Sequence, residues 1–243
     1  MRLRSAIFDM DGTLLDSMHI WTDLGANTLR AQGVEPEPDL YDTLKVLTLR
    51  DGAQYCKERY HLPQSVDEIV AVTQGQVETF YHHQVQPKPG VVRFLSLLKM
   101  EGVAMYVATN TDRHLAEAGL RHAGIAPYFR GMLTCGEVGA GKAESPEIYE
   151  RAMRRLQSNK QNTVVFEDAL HAIQTAKQAG FRVCAVYDPS AESDQAEIQA
   201  LADTHLREGN ACTLLSARLE EGGNYGRVLR EADGSFRCIV EAR

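Results

Sequence analysis

The stretch Ile7-Phe8-Asp9-Met10-Asp11-Gly12-Thr13-Leu14-Leu15-Asp16-Ser17 decides the fold. Ser5 to Phe8 is a short apolar run of the kind a buried strand presents, and it delivers two carboxylates, one residue apart, into a turn opened by Gly12. In an open parallel sheet, ligands bind in the crevice beyond the carboxyl ends of the strands. Two acids at alternate positions there cannot both be spare charges, because an unpaired buried carboxylate is costly or takes up a proton. A cation or a reaction must balance them. The other reading of the same residues is an acidic turn capping a helix that begins near Asp16 or Ser17.

Composition bounds what such a chain can be. Its 243 residues, 44% apolar and 24% charged, describe a globular protein of about one or two domains. A net charge of -7 and a pI near 5.6, with no Lys/Arg run, argue against a nucleic-acid surface. Cys56, Cys135, Cys184, Cys212 and Cys238 are far apart, odd in number and without a CxxC pair, which suits a reducing cytoplasm. No run approaches the roughly 18 apolar residues of a membrane span, and Met1-Arg2-Leu3-Arg4 leads into the first strand without a signal-peptide core. The expectation is a cytoplasmic protein with neither membrane nor nucleic-acid partner.

From Met18 to about Gln86 the spacing is helical. Helices are predicted over Met18 to Ala31, Leu40 to Leu47, Asp51 to Tyr60 and Val66 to His82, punctuated by Gln32-Gly33, Pro36, Pro38 and His61-Leu62-Pro63. Trp21 reads as core of this insertion, and His19, His61, His82 and His83 read as surface or interface residues without metal-ligand spacing. After Pro87-Lys88-Pro89-Gly90 helices and strands alternate. Val91 to Lys99 reads as a helix, Val103 to Ala108 as a strand closing on Thr109-Asn110, and Asp112 to Ala123 as a helix. Met132 to Thr134 reads as a strand, and Gly136 to Gly141 as a loop leading to Lys142 and a helix begun near Pro146. Thr163 to Phe166 then reads as a strand ending in Glu167-Asp168, Ala169 to Ala179 as a helix and Phe181 to Tyr187 as a strand. A last connection and helix run from Asp188 to about Leu206. Each polar cluster falls at a strand end or in a loop. The predicted fold is α/β, a Rossmann-like parallel sheet core (1–17 and 87–206) with an inserted four-helix domain (18–86) and a short β tail (207–243).

Taken in order, these clusters resemble the four motifs of the haloacid dehalogenase-like phosphotransferases, over Met1 to about Leu206. The resemblance implies that Asp9 is a nucleophile that becomes an aspartyl phosphate and that Asp11 is the general acid and base. Thr109 would hydrogen-bond a transferring phosphoryl oxygen, with Asn110 beside it on the substrate. Lys142, in Gly141-Lys142-Ala143-Glu144-Ser145-Pro146-Glu147-Ile148-Tyr149, would neutralise the nucleophile and the phosphoryl oxygens. Asp168 would ligate Mg2+, with Glu167 directly or through water, Asp9 and the backbone carbonyl of Asp11 completing the protein's share. The helical insertion resembles the α-helical cap of the branch that holds β-phosphoglucomutase and related phosphatases. Arg50 stands where the mutases of that branch place a phosphate-binding Arg, although a solvated Arg at a helix start fits equally. Trp21 stands where those mutases carry a His, a departure from their pattern. Asp11 argues against the phosphonate hydrolases and true dehalogenases of the family.

The expected function is therefore Mg2+-dependent hydrolysis of a small phosphorylated metabolite, such as a sugar phosphate. A sugar-phosphate mutase is the alternative within the class, and an anion-binding or regulatory module without turnover is the alternative outside it. In the last 37 residues, Ala211 to Leu219, Tyr225 to Arg230 and Phe236 to Glu241 read as strands, with Ala232-Asp233-Gly234-Ser235 as a hairpin turn. Asn224 to Val228 and Ile239 to Glu241 resemble a segment of sugar-phosphate nucleotidyltransferases, but the Gly-rich nucleotide loop of those enzymes is absent. A segment this short needs something to cover its apolar faces: the core, a second copy of the chain in a homodimer, or a missing remainder of a larger protein. The expectation is that it docks on the core or at a dimer interface.

Overall fold

The first strand, β1 (Ser5–Phe8), is buried at every residue, as a strand covered on both faces must be. It belongs to a computed structural model that describes residues 3–44, 47, 49–194, 197–198, 227–230 and 236–240. After β1 come the two-residue strand β2 (Leu15–Asp16) and then α1 (Met18–Arg30), α2 (Leu40–Leu44), α3 (Leu49–Arg59) and α4 (Val66–His83). The short β3 (Gln86–Pro87) leads to α5 (Val91–Met100), β4 (Ala104–Thr109), α6 (Arg113–His122), β5 (Met132–Thr134), α7 (Cys135–Val138) and α8 (Glu147–Arg155). Then follow β6 (Thr163–Glu167), α9 (Leu170–Gln178), β7 (Arg182–Ala185), β8 (Arg227–Arg230) and β9 (Phe236–Val240). The chain divides into two units, Met1–Asp16 with Pro87–Arg243, and Ser17–Gln86.

Five strands make a parallel sheet in the order β5-β4-β1-β6-β7. In register, Ser5 to Phe8 face Ala104 to Val107 on one side and Thr163 to Phe166 on the other. The chain builds outward from β1 through β4 to β5, then returns to start again at β6. The direction of winding therefore reverses between β1 and β6. That is the topological switch point, where the loops at the carboxyl ends part and leave a crevice. Alternation along β1 divides the core. Ile7 enters a cluster with Tyr106, Ala108, Ile148, Tyr149, Ala152, Val165 and Ile173. Phe8 stacks on Phe166 at 4.4 Å between centroids and meets Phe94 and Phe129 edge-on.

The helical unit has its own core of Leu29, Leu40, Ala53, Cys56, Leu62 and Ile69. Gly25 on α1 packs against the Leu44 side chain of α2, where an added Cβ would require that methyl to shift. Thr28 and Thr73 face each other at 3.2 Å while each hydroxyl also reaches the carbonyl four residues back, so these buried hydroxyls are satisfied. Trp21, expected in the core, is 38% exposed and lies beside the Tyr81 ring. The four expected surface histidines, His19, His61, His82 and His83, are exposed.

Several boundaries differ from the sequence reading. The second helix is described over Leu40–Leu44, with Leu47 in a bend outside it, and the third over Leu49–Arg59, with Arg50 in its first turn. The expected loop over 136–141 begins as α7, a single turn started by a capping box: Thr134 Oγ1 accepts from the Glu137 N–H and Glu137 accepts from the Thr134 N–H. The strand expected to reach Tyr187 ends at Ala185. Of the expected 188–206 segment, Pro189–Asp194 is a 3-10 turn, while the stretch from 199 lies outside the described residues. The expected strand at 211–219 and the turn at 232–235 also lie outside them, and β8 pairs antiparallel with β9. No helix among the described residues is long and apolar enough to cross a membrane.

The start of α4 carries another capping box, in which Ser65 Oγ accepts from the Glu68 N–H and Glu68 accepts from the Ser65 N–H. Ser65→Ala removes the first of these bonds and is expected to cost about 1 kcal/mol, with Ser65→Asp close to wild type. The single tryptophan, Trp21, lies in this unit, so denaturant unfolding followed by its fluorescence measures the effect where it arises. An unchanged midpoint for Ser65→Ala would remove the cap from the account of α4.

Candidate active site

The backbone beyond β1 is fixed before any side chain acts. The Asp9 N–H donates to the Phe166 carbonyl, continuing the ladder to β6, and both Leu14 and Leu15 donate to the Met10 carbonyl. Gly12 sits at φ +78°, a left-handed conformation that a side chain would strain. Met10, Leu14 and Leu15 are buried beneath this loop. Apolar residues thus anchor it while Asp9 and Asp11 stand at the carboxyl end of the sheet.

Asp9 is buried and pairs with Lys142, whose ammonium also donates to Glu167 Oε1 at 2.6 Å. The same Glu167 oxygen accepts the Tyr149 hydroxyl at 2.8 Å. Lys142 comes from the segment before α8, where the N–H groups of Glu144 and Ser145 close a turn on the Gly141 carbonyl. Asp168, one residue past β6, accepts the Thr13 hydroxyl at 3.0 Å. Asp11 is half-buried, and its Oδ2 accepts the Thr111 hydroxyl at 2.6 Å. Thr109 closes β4 almost wholly buried, its Oγ1 accepting from the Thr111 N–H at 3.0 Å.

The charges do not balance. Carboxylate oxygens of Asp9, Glu167 and Asp168 all lie within 4.8 Å of one another, and Lys142 is the cation among them. Burial, with the charges of Glu167, Asp168 and Asp11 added, pushes the Asp9 carboxyl well above its ordinary value despite Lys142. Burial and Glu167 raise Asp168 to about 7, the Thr13 hydroxyl and Lys142 opposing. Burial alone would lower Lys142, but Asp9 and Glu167 outweigh it and hold the ammonium charged. Three carboxylates share one ammonium, and the excess negative charge is what a hard divalent cation with oxygen ligands would offset.

The structure thus brings Asp9, Lys142, Glu167 and Asp168 into one buried cluster, with Asp11 on the adjoining turn. Asn110 is exposed beyond Thr109. Arg50 lies on α3 in the helical unit, where Nη1 pairs with Asp67 at 2.6 Å, both side chains exposed. Thr13, Thr111 and Tyr149 went unassigned in the sequence reading, although each stands within a quoted motif or one residue past it. Thr111 follows Thr109 at the period that returns a chain to the same side, a signal that could have found it. A cavity of about 480 Å³ lies at the opposite end of the sheet, lined by Arg4, Glu101, Ala104, Arg130 and Asn162 among others, and has no part in this cluster.

Comparison with known proteins bears on the same residues. The family profile described as haloacid dehalogenase-like hydrolase matches residues 3–180. A phosphorylated carbohydrates phosphatase from Thermotoga maritima is 26% identical over 178 residues, 73% of this chain and 82% of the relative. Hexitol phosphatase A from Escherichia coli is 28% identical over 194 residues, 78% of this chain and 86% of the relative. A crystal structure from Thermotoga maritima, named as a candidate β-phosphoglucomutase, superposes with a TM-score of 0.71 at 25% identity, covering 88% of this chain and 94% of that one. A profile that runs from before Asp9 to beyond Asp168 takes in every strand end that builds the cluster, and the chain belongs to the haloacid dehalogenase-like hydrolases.

Proposed function

We propose that this hydrolase is a Mg2+-dependent phosphatase that cleaves a small phosphorylated metabolite, a sugar or polyol phosphate, by way of phosphate carried on Asp9. The observation that carries this reading is the buried Asp9 carboxylate paired with Lys142, one turn from an Asp11 held by Thr111. The names of the relatives support the substrate class.

In the proposed course a carboxylate oxygen of Asp9 attacks phosphorus in line, and the bond to the leaving oxygen breaks as Asp11 protonates the departing alkoxide. Asp11, now ionised, takes a proton from water, which attacks the aspartyl phosphate and returns Asp9 with inorganic phosphate. Lys142 and the Thr109 hydroxyl stabilise charge on the phosphoryl oxygens. Asp9, Asp168, the Asp11 carbonyl and Glu167 would hold Mg2+, which when bound supplies charge neutralisation for the phosphoryl group. The relatives named as phosphatases favour hydrolysis over mutase chemistry, which would need the Arg50 guanidinium for a second phosphate.

Asp9→Asn is expected to abolish turnover without any covalent phosphate. Asp11→Asn is expected to lose about 10²- to 10⁴-fold in turnover yet retain phosphate on the protein when the leaving group needs no proton. Steady-state rates on a panel of sugar and polyol phosphates, with intact-protein mass after acid quench, read both. Wild-type activity in either variant would remove that residue from the mechanism.

Metal binding has a readout apart from turnover. A carboxyl raised from 3.8 to about 7 on folding binds its proton more tightly in the folded state, so Asp168's contribution to stability is greatest at low pH and declines as pH rises through about 7. A cation that binds the ionised cluster reverses that decline. The increase in Tm from EDTA to excess Mg2+ should be larger at pH 8 than at pH 5.5, and should be lost in Asp168→Ala. Equal increases at the two pH values would separate the metal from this carboxyl cluster.

A further inference from the structure

Lys88 lies in Pro87-Lys88-Pro89-Gly90, just after the chain leaves the helical insertion, and its side chain is turned inward with the residue 8% exposed. The following proline holds Lys88 to extended backbone, and Gly90 takes φ +83°. The three protons of its ammonium meet three acceptors: the Gly12 carbonyl at 2.7 Å, the Tyr187 carbonyl at 2.7 Å and Asp188 Oδ2 at 2.8 Å. The Lys88 N–H also donates to the Leu14 carbonyl at 2.9 Å. Asp188 in turn accepts from the N–H and hydroxyl of Ser190. Burial alone would raise the Asp188 carboxyl, but these bonds from Lys88 and Ser190 hold it below its ordinary value. A buried ion pair contributes little against apolar residues of the same volume, so stability is a weak reason for one here. What the pair does is fasten the loop that carries Asp11 at two points, Gly12 and Leu14, to the end of β7.

We propose that Lys88 and Asp188 are a positioning pair for Asp11. They fix the Gly12 carbonyl from below, while the Thr111 hydroxyl fixes the Asp11 carboxyl from the side of β4. The Asp11-Gly12 segment is thereby held on both sides, at the Asp11 carboxyl and at the Gly12 carbonyl, and the carboxyl keeps its aim at the leaving oxygen. Displacement of about 1 Å in such a group is enough to cost about 10²-fold in rate. The inference rests on the reading of Asp11 as the general acid.

Leaving-group dependence separates positioning from a merely structural role. An alkoxide needs Asp11's proton in order to leave, whereas p-nitrophenolate does not, and kcat/KM reports only the steps through transfer to Asp9. Lys88→Met/Asp188→Leu removes both buried charges and leaves Gly12 unheld. It is expected to lose about 10- to 100-fold more kcat/KM on an alkyl phosphate than on p-nitrophenyl phosphate. Asp188→Asn keeps the Lys88 bond to Gly12 and should hold the ratio of the two substrates within about threefold of wild type. If the double variant does not fold, Lys88→Arg keeps the charge pair, moves the donor off Gly12 and should show the same selective loss. Equal losses on the two substrates in a folded variant would mark the pair as structural and overturn the proposal alone. A wild type that hydrolyses neither ester would overturn the phosphatase reading with it.

Discussion

The Lys142 ammonium, held between Asp9 and Glu167 out of contact with water, is the interaction on which the rest of the site depends. An unpaired charge in such surroundings would be neutralised by a shift in its pKa, so the lysine and the acids can be buried only together. That requirement ties three distant parts of the chain into one arrangement: the turn after β1, the segment before α8 and the end of β6. Tyr149, from the first turns of α8, occupies the same Glu167 oxygen as Lys142 and leaves that carboxylate little choice of rotamer. The apolar residues under the site, Ile7, Tyr106, Ile148 and Val165 among them, supply the low dielectric in which the pairing is strong.

Sheet order converts this electrostatic requirement into geometry. β1 and β6 are neighbours because the chain completes β4 and β5 on one side before it crosses to the other. Acids at the ends of two adjacent parallel strands stand roughly one strand spacing apart, about 5 Å, and the oxygens of Asp9, Glu167 and Asp168 within 4.8 Å follow from that spacing. Had the winding not reversed between these strands, a covering connection would have filled the crevice.

How much of this was legible depended on how far apart the partners lie in the chain. Asp9, Asp11, Glu167 and Asp168 could be found because each ends an apolar run, and an acid at that point conflicts with burial unless it has a use. Lys142 follows no strand, and only the resemblance carried by its neighbours singled it out. The short α7 was legible in Thr134-Cys135-Gly136-Glu137, a capping-box spacing hidden by the glycines around it. Lys88 was not legible as a buried cation: its acceptors are 76 and about 100 residues away, and nothing local distinguishes it from a solvated lysine between two prolines. Trp21 shows the opposite error, an apolar residue at a helical period whose face is left partly open.

The two adjacent acids at the end of β6 are best read as having different tasks. Both reach the same buried cluster, with oxygens within 4.8 Å of one another and of Asp9, but they meet different partners there. Glu167 Oε1 accepts both Lys142 and Tyr149, which suits a group that aims the ammonium. Asp168 instead accepts the Thr13 hydroxyl, and burial first, with the charge of Glu167 added, raises its carboxyl beyond what that bond offsets. A cation that relieves that charge would draw on Asp168 and Asp9, with Glu167 shared between it and Lys142. On this division Glu167 would face a bound cation while also aiming the lysine that competes with that cation for Asp9.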